Sequence, residues 1–295
     1  MHNPRPVFRF APSPNGHLHL GHAFSALVGQ ELARRGGGRF LLRIEDIDLE
    51  RSRPEFEAGI YEDLAWLGIE WEAPVRRQSE HMADYASALR RLQALDIVYP
   101  CFHSRKQIAD EVDASGKTAR DPDGVHLYPG LCRDIPQQIA AQRVAGGEAY
   151  VLRLNMQKTV ALVRAKPNAP LRFRAFGTDF RVEMQGTAPE RWGDIILARK
   201  NNPATYHIAV VTDDAIQGVT HVTRGMDLLA ATDIHRLLQV LLDLPEPLYH
   251  HHRLILDPSG RKLAKSHQDK ALKSLRAEGA TPAQIKEMVG LSCGL

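Results

Sequence analysis

At ~150 residues per domain, a chain of 295 residues carries a prior of about two domains and has ample length for a buried core. Hydrophobic residues at 43% and charged residues at 25% exclude a disordered chain, and the 22 Gly and 18 Pro follow no period that would mark a fibrous one. The formal net charge of +3 permits a nucleic-acid partner but leaves phosphate contacts to local basic patches. Apolar runs fall far short of the ~20 residues that span a bilayer, and the start MHNPRPVFRF lacks the apolar core of a signal peptide. A cytoplasmic protein with no membrane partner is therefore expected. Cys101, Cys132 and Cys293 cannot build a disulfide framework, and in a reducing compartment cysteines near His more often hold metal than each other.

In chain order, Val7 to Phe10 reads as a short strand, broken by Pro12, Pro14 and Gly16. From about Gly21 the run HAFSALVGQELARR has helical spacing, and Gly36, Gly37 and Gly38 stop it. Arg39 to Asp46 is apolar enough for a buried parallel strand. Ser52 and Glu55 predict a capping box around Pro54, opening a helix with Phe56, Ile60, Leu64 and Leu67 on one face. Another helix starts near Ser79, with Met82, Tyr85, Leu89 and Leu92 inward. Cys101 to Cys132 is polar with little periodicity, an insertion in need of a staple. From Ala149 to Val222 strands and turns are expected: AYVLRLNM, FRAFGTDFRVEM, DIILARK, a turn at Asn201-Asn202-Pro203, TYHIAVVTD and QGVTHVTR. Helical periodicity returns at Asp227 to Leu242, LILD predicts a strand, Pro258-Ser259-Gly260 a tight turn, and Thr281-Pro282 a last short helix. Alternating strands and helices predict an α/β fold around a doubly wound, Rossmann-type parallel sheet.

Three segments carry chemistry. His17, His19 and His22 in GHLHLGH lie where a strand turns into a helix, whose N-terminal N–H groups and dipole suit phosphate. As structural residues they would cap the helix; as functional ones they would stabilise charge on a phosphoryl group. Arg261, Lys262 and Lys265 in GRKLAKS follow a glycine turn and alone would pass for a solvated loop. Cys101-Phe102-His103 with Tyr128 and Cys132 place soft and borderline ligands in two clusters, which suits tetrahedral zinc better than a free Cys pair in a small core. His250, His251 and His252 alternate faces in a strand, so packing or solvent roles are expected, with at most one near a nucleotide.

The first two motifs together resemble the class I aminoacyl-tRNA synthetases, HLGH (His19 to His22) matching their HIGH signature and KLAKS (Lys262 to Ser266) their KMSKS signature, with Ala264 in place of the usual hydroxyl. The blocks RFAPSPNGHLHLGH, LRIEDIDLERS and PATYHIAVVTDDAIQGVTHVTRGMDLL are similar to the glutamyl branch. That resemblance implies a glutamate pocket at Arg9, Phe10, Ala11, Pro12, Ser13, Glu45, Tyr206 and Arg224, and an ATP site at His19, Gly21, His22, Lys262 and Lys265. His19, His22, Lys262 and Lys265 are its implied catalytic residues. Charge agrees: two carboxylates and an ammonium call for two cationic forks and one anion, which Arg9, Arg224 and Glu45 supply.

Only His267 to Leu295 follow KLAKS, so no anticodon-binding domain is expected, and the chain resembles the truncated glutamyl-queuosine tRNA(Asp) synthetase family; Val210, where glutamyl-tRNA synthetases usually place Asn, points the same way. The resemblance implies tRNA-independent activation of L-glutamate by ATP with Mg2+. The glutamyl group then passes to the cyclopentenediol of queuosine in the anticodon arm of tRNA(Asp), by a step for which no base is evident. It also implies one structural Zn2+ on Cys101, His103, Tyr128 and Cys132, with His103 replacing a family Cys. The expected division is a first Rossmann half at 1–98, the zinc-containing insertion and acceptor-like subdomain at 99–190, a second half at 191–245, and the KMSKS loop with a short helical region at 246–295. A monomer is expected. The rivals are a minimal glutamyl-tRNA synthetase charging the tRNA 3′ end and a non-catalytic zinc-containing RNA-binding paralogue; the intact motif residues argue against the second.

Overall fold

The computed structural model describes residues 5–116, 118–166, 171–199, 204–257, 260, 270–292 and 294. In chain order it comprises β1 (Val7–Phe10), α1 (Leu20–Arg35), β2 (Arg39–Ile44), α2 (Pro54–Trp66), β3 (Glu72–Arg77), α3 (Met82–Ala94), β4 (Val98–Cys101), α4 (Arg105–Ser115), α5 (Gln137–Ala145) and β5 (Val151–Leu154). There follow α6 (Met156–Arg164), β6 (Arg172–Phe176), β7 (Val182–Gly186), β8 (Ile196–Arg199), α7 (Tyr206–Ile216), β9 (His221–Gly225), α8 (Ala231–Leu241), β10 (Leu248–His252), α9 (Leu272–Ala277) and α10 (Pro282–Met288).

The main sheet has the order β3-β2-β1-β9-β10-β6-β7 and is parallel except for the β6–β7 hairpin. β1 has β2 on one side and β9 on the other, so the strand order reverses there, the position at which doubly wound sheets open a ligand crevice. The hairpin lies in the stretch 99–190 yet extends this sheet through Tyr249–Ala175 pairing. β4, β5 and β8 form a small antiparallel sheet. β1 and β2 are buried almost throughout because helices cover both faces of the sheet there: one core packs α1, α2, α9 and α10 against Phe8, Leu42 and Ile44, and a second joins α3, α6, α7 and α8. No helix among the described residues is long and apolar enough to cross a membrane.

Several local expectations need correction. The capping box at Ser52 and Glu55 does not form: Pro54 occupies the first helical turn, Arg53 becomes the N-cap, and no side chain bonds the helix end. TYHIAVVTD is the buried helix α7 and not a strand; Ile208 to Asp214 are all buried, so its β-branched run shows no amphipathic face to read. The polar insertion contains α4, capped by Ser104 and Gln107. The strand expected at LILD lies earlier, at LYHHH. The turn at Asn201-Asn202-Pro203 and most of GRKLAKS lie outside the described residues.

Candidate active site

A cleft of about 740 Å³ opens at the carboxyl ends of β1 and β9. Arg9, Phe10, Ala11, Pro12, Ser13, Glu45, Tyr206 and Arg224 line it together with His19, Gly21 and His22. The two residue groups named from sequence are therefore neighbours in space. Lys262 and Lys265 lie outside the described residues.

His19 and His22 both cap α1 and line the cleft, so capping the helix does not withdraw them from it. The His19 ring accepts from the Gly21 N–H at 3.1 Å through Nδ1, and the His22 Nδ1 accepts from the His19 N–H at 3.2 Å. Each neutral ring therefore carries its proton on Nε2. Gly21 gives the His19 ring room here, because a Cβ at that position would lie 3.0 Å from it and the ring would have to shift by a few tenths of an ångström. His17 stands apart, edge-on against Phe56.

The part of the cleft lined by Arg9 and Glu45 rests on a buried ion network. Arg43, completely buried, donates to Asp214 Oδ1 at 2.7 Å, to Gln217 Oε1 at 3.0 Å and to Glu45 Oε1 at 3.1 Å, and Asp213 lies 3.7 Å from its Nε. Arg9 donates to Asp214 Oδ1 and to the Thr223 carbonyl, each at 3.2 Å. Burial raises the Glu45 carboxyl above its ordinary range, with Arg43 and Arg9 opposing. Burial would also raise Asp214, but Arg9 and Arg43 together hold it below that range. Asp213 accepts in addition from Arg76, Gln78 and Tyr85.

Arg224 is built differently. It donates to Thr232 Oγ1 at 2.7 Å, His235 Nδ1 at 2.9 Å and His251 Nε2 at 3.2 Å, and its guanidinium sits 5.2 Å from the centre of the Tyr249 ring. Among the described residues no carboxylate pairs with it. Burial, reinforced by Arg224 itself, pushes His251 down to about 3 and His235 well below the ordinary imidazole range, so both are neutral acceptors. His251 corrects the expectation of a packing or solvent role, and His252 lines the cleft; His250 bonds the Phe176 carbonyl. Sequence reasoning missed Arg43, Asp213, Asp214, Thr232 and His235. The available signal was an Asp pair inside the apolar run IAVVTDD.

Away from the cleft, the ligand atoms of Cys101, His103 and Cys132 all lie within 4.8 Å of one another, with His103 Nδ1 at 3.0 Å from Cys132 Sγ. Tyr128 Oη is 3.2 Å from Cys101 Sγ and accepts from the Cys132 N–H at 2.9 Å. This set fits tetrahedral zinc: bonds of ~2.1–2.3 Å at tetrahedral angles place donors roughly 3.5 Å apart. Burial and the neighbouring sulfurs raise the Tyr128 phenol, which makes it the weakest donor of the four.

Residues 7–293 match the family of class I tRNA synthetases (E and Q), catalytic domain. A glutamyl-Q tRNA(Asp) synthetase of Rhodobacter capsulatus is 47% identical over 97% of this chain and 100% of its own length, and one of Symbiobacterium thermophilum is 40% identical over 97% and 86%. The crystal structure of a glutamate-tRNA synthetase from Elizabethkingia anophelis superposes with a TM-score of 0.76 at 26% identity, covering 97% of this chain and 61% of that one. The cleft at the sheet's switch point, its capping histidines and these likenesses together place the chain in the class I aminoacyl-tRNA synthetase family, within the glutamyl-Q tRNA(Asp) synthetase group.

Proposed function

We propose that the protein activates L-glutamate with ATP and Mg2+, without tRNA, and passes the glutamyl group to the cyclopentenediol of queuosine in the anticodon arm of tRNA(Asp). The observation that carries the first half is Arg224, a buried guanidinium on the cleft wall whose charge no described carboxylate neutralises. A substrate carboxylate completes it. The second half rests on the Rhodobacter relative, named for that reaction and matched over its entire length.

In the first step an α-carboxylate oxygen attacks the ATP α-phosphorus, the bond to pyrophosphate breaks, and glutamyl-adenylate forms. Arg9, Arg224 and Tyr206 hold the amino acid, Glu45 takes the ammonium, and Phe10, Ala11, Pro12 and Ser13 line its seat. The Nε2–H groups of His19 and His22, beside Gly21 at the α1 N-terminus, face charge growing on the α-phosphoryl group. Lys262 and Lys265 are assigned to ATP and the departing pyrophosphate by their motif alone. In the second step a queuosine hydroxyl attacks the adenylate carbonyl and AMP leaves. One zinc on Cys101, His103 and Cys132, with Tyr128 or water fourth, would tie the two ends of the insertion together.

ATP–pyrophosphate exchange in the absence of tRNA should respond to glutamate and not to glutamine. Acceptance should persist when tRNA(Asp) is trimmed of its 3′-terminal nucleotides and vanish when guanosine replaces queuosine. Charging of unmodified tRNA(Glu), lost on trimming, would instead identify a glutamyl-tRNA synthetase.

A further inference from the structure

We propose that His235, His251 and Thr232 are positioning residues that hold Arg224 by neutral acceptors alone, and that this uncharged cradle sets the preference for glutamate over glutamine. The inference rests on the glutamate reading of the cleft and adds to it the origin of the selectivity.

A guanidinium has five N–H donors. Thr232, His235 and His251 take three of them, which leaves two for a ligand. Because Arg224 can only donate, the accepting nitrogens, His235 Nδ1 and His251 Nε2, carry no proton. His235 then has its proton on Nε2, directed at His207 Nδ1 3.3 Å away. The Thr232 hydroxyl, accepting from Arg224, lies 3.1 Å from His251 Nε2, whose single lone pair its proton can only share with the Arg224 N–H. All three acceptors are uncharged, so the cradle holds Arg224 in place without neutralising it. His235 and Thr232 are almost wholly buried, so water does not substitute for them.

Arg9, on the same cleft, shows the contrast. Its charge is already shared with Asp214, and Arg43 is surrounded by Asp214, Glu45 and Asp213. The unspent positive charge among these buried guanidinium groups is therefore that of Arg224. A neutral amide gains much less from it than a carboxylate does, whereas a carboxylate installed in the cradle would consume it before substrate arrives.

The test uses pairs of equal shape and different charge. In ATP–pyrophosphate exchange, His235→Asn keeps an acceptor at the position of Nδ1 and should hold the KM for glutamate within about threefold. His235→Asp should raise that KM at least ~10-fold and shrink the glutamate-to-glutamine ratio of kcat/KM by a similar factor, with the KM for ATP little changed. His251→Gln and His251→Glu repeat the comparison for an acceptor at Nε2, and decide the matter should His235→Asp fail to fold. Equal KM values within folded Asn/Asp or Gln/Glu pairs would overturn the proposal, because a merely structural role does not distinguish them by charge. Wild-type protein that exchanges no glutamate would overturn the functional reading instead.

Discussion

The backbone N–H of Leu272 donates to the carbonyl of Leu18 at 2.8 Å, and Ala271 forms a bridge with His19, so the chain that emerges from GRKLAKS is fastened to the turn bearing HLGH. Two motifs far apart in sequence are thereby referred to one backbone contact. Leu272 is the first residue of α9, where proline is compatible with a helix but cannot donate. Leu272→Pro and Leu272→Ala both vacate a buried apolar site, and only the first deletes the N–H. The expected result is a KM for ATP several-fold higher in the Pro variant than in the Ala variant, with the KM for glutamate equal in both. Steady-state exchange kinetics check this.

Asp63 on α2 faces Arg276 of α9, 3.6 Å from its Nη1, and neither carboxylate oxygen has a hydrogen-bond partner. Burial pushes its carboxyl up to about 6, Glu62 adds to the rise, and Arg276 and Lys273 oppose it. The folded state therefore binds the Asp63 proton more tightly than the unfolded chain. Its ionisation costs stability above pH 6, and the cost is relieved as pH falls toward 4. The stability of wild type relative to Asp63→Asn should rise by about 1 kcal/mol between pH 7.5 and 5, and by at most about 3 kcal/mol in all. Urea denaturation at the two pH values measures it; a pH-independent difference would contradict the raised carboxyl.

The cleft residues were legible because their chemistry travels with short motifs, and β1, α1 and β2 because strand, glycine-stopped helix and strand follow one another with clear periods. α7 was not, since a helix buried on all sides has no polar face. β3, at the sheet edge, hides behind Pro74 and three charged residues in EAPVRR, a composition edges tolerate and central strands do not. The Arg224 cradle draws Thr232 and His235 from α8 and His251 from β10, and only the parallel register of β9 with β10, which sets Arg224 beside His251, reveals it.

Purified protein should hold about one zinc per chain after dialysis against a weak chelator, and Cys132→Ser should hold much less. Loss of a structural zinc forfeits ~10 kcal/mol of binding free energy, which at this site would be what joins β4 to the loop at Cys132. Limited proteolysis should then cut between Cys101 and Cys132, while glutamate activation declines less, because none of the ligands lines the cleft. Elemental analysis and the cleavage map report independently of activity. Protein with less than a few tenths of a zinc and an intact insertion would assign the cluster to packing alone.

Arg43 and Asp214 form a short buried ion pair under the cleft, 2.7 Å apart with neither side chain appreciably exposed. Removing one partner strands the other's charge. Asp214→Asn leaves Arg43 with Glu45 and Asp213 and deprives Arg9 of its carboxylate, and should cost roughly 3–5 kcal/mol. Arg43→Met leaves three buried carboxylates facing one another around the space it vacates and should cost at least as much. Because both changes break the same pair, their combination should destabilise by clearly less than the sum, a coupling of 0.5–3 kcal/mol being ordinary for contacting residues. Asp214, held below the usual carboxylate range, stabilises the fold at neutral pH and loses that contribution only as pH falls through its lowered value. The coupling measured by urea denaturation at pH 7 should therefore persist at pH 5. Strict additivity at pH 7 would mean that the two residues act through separate partners.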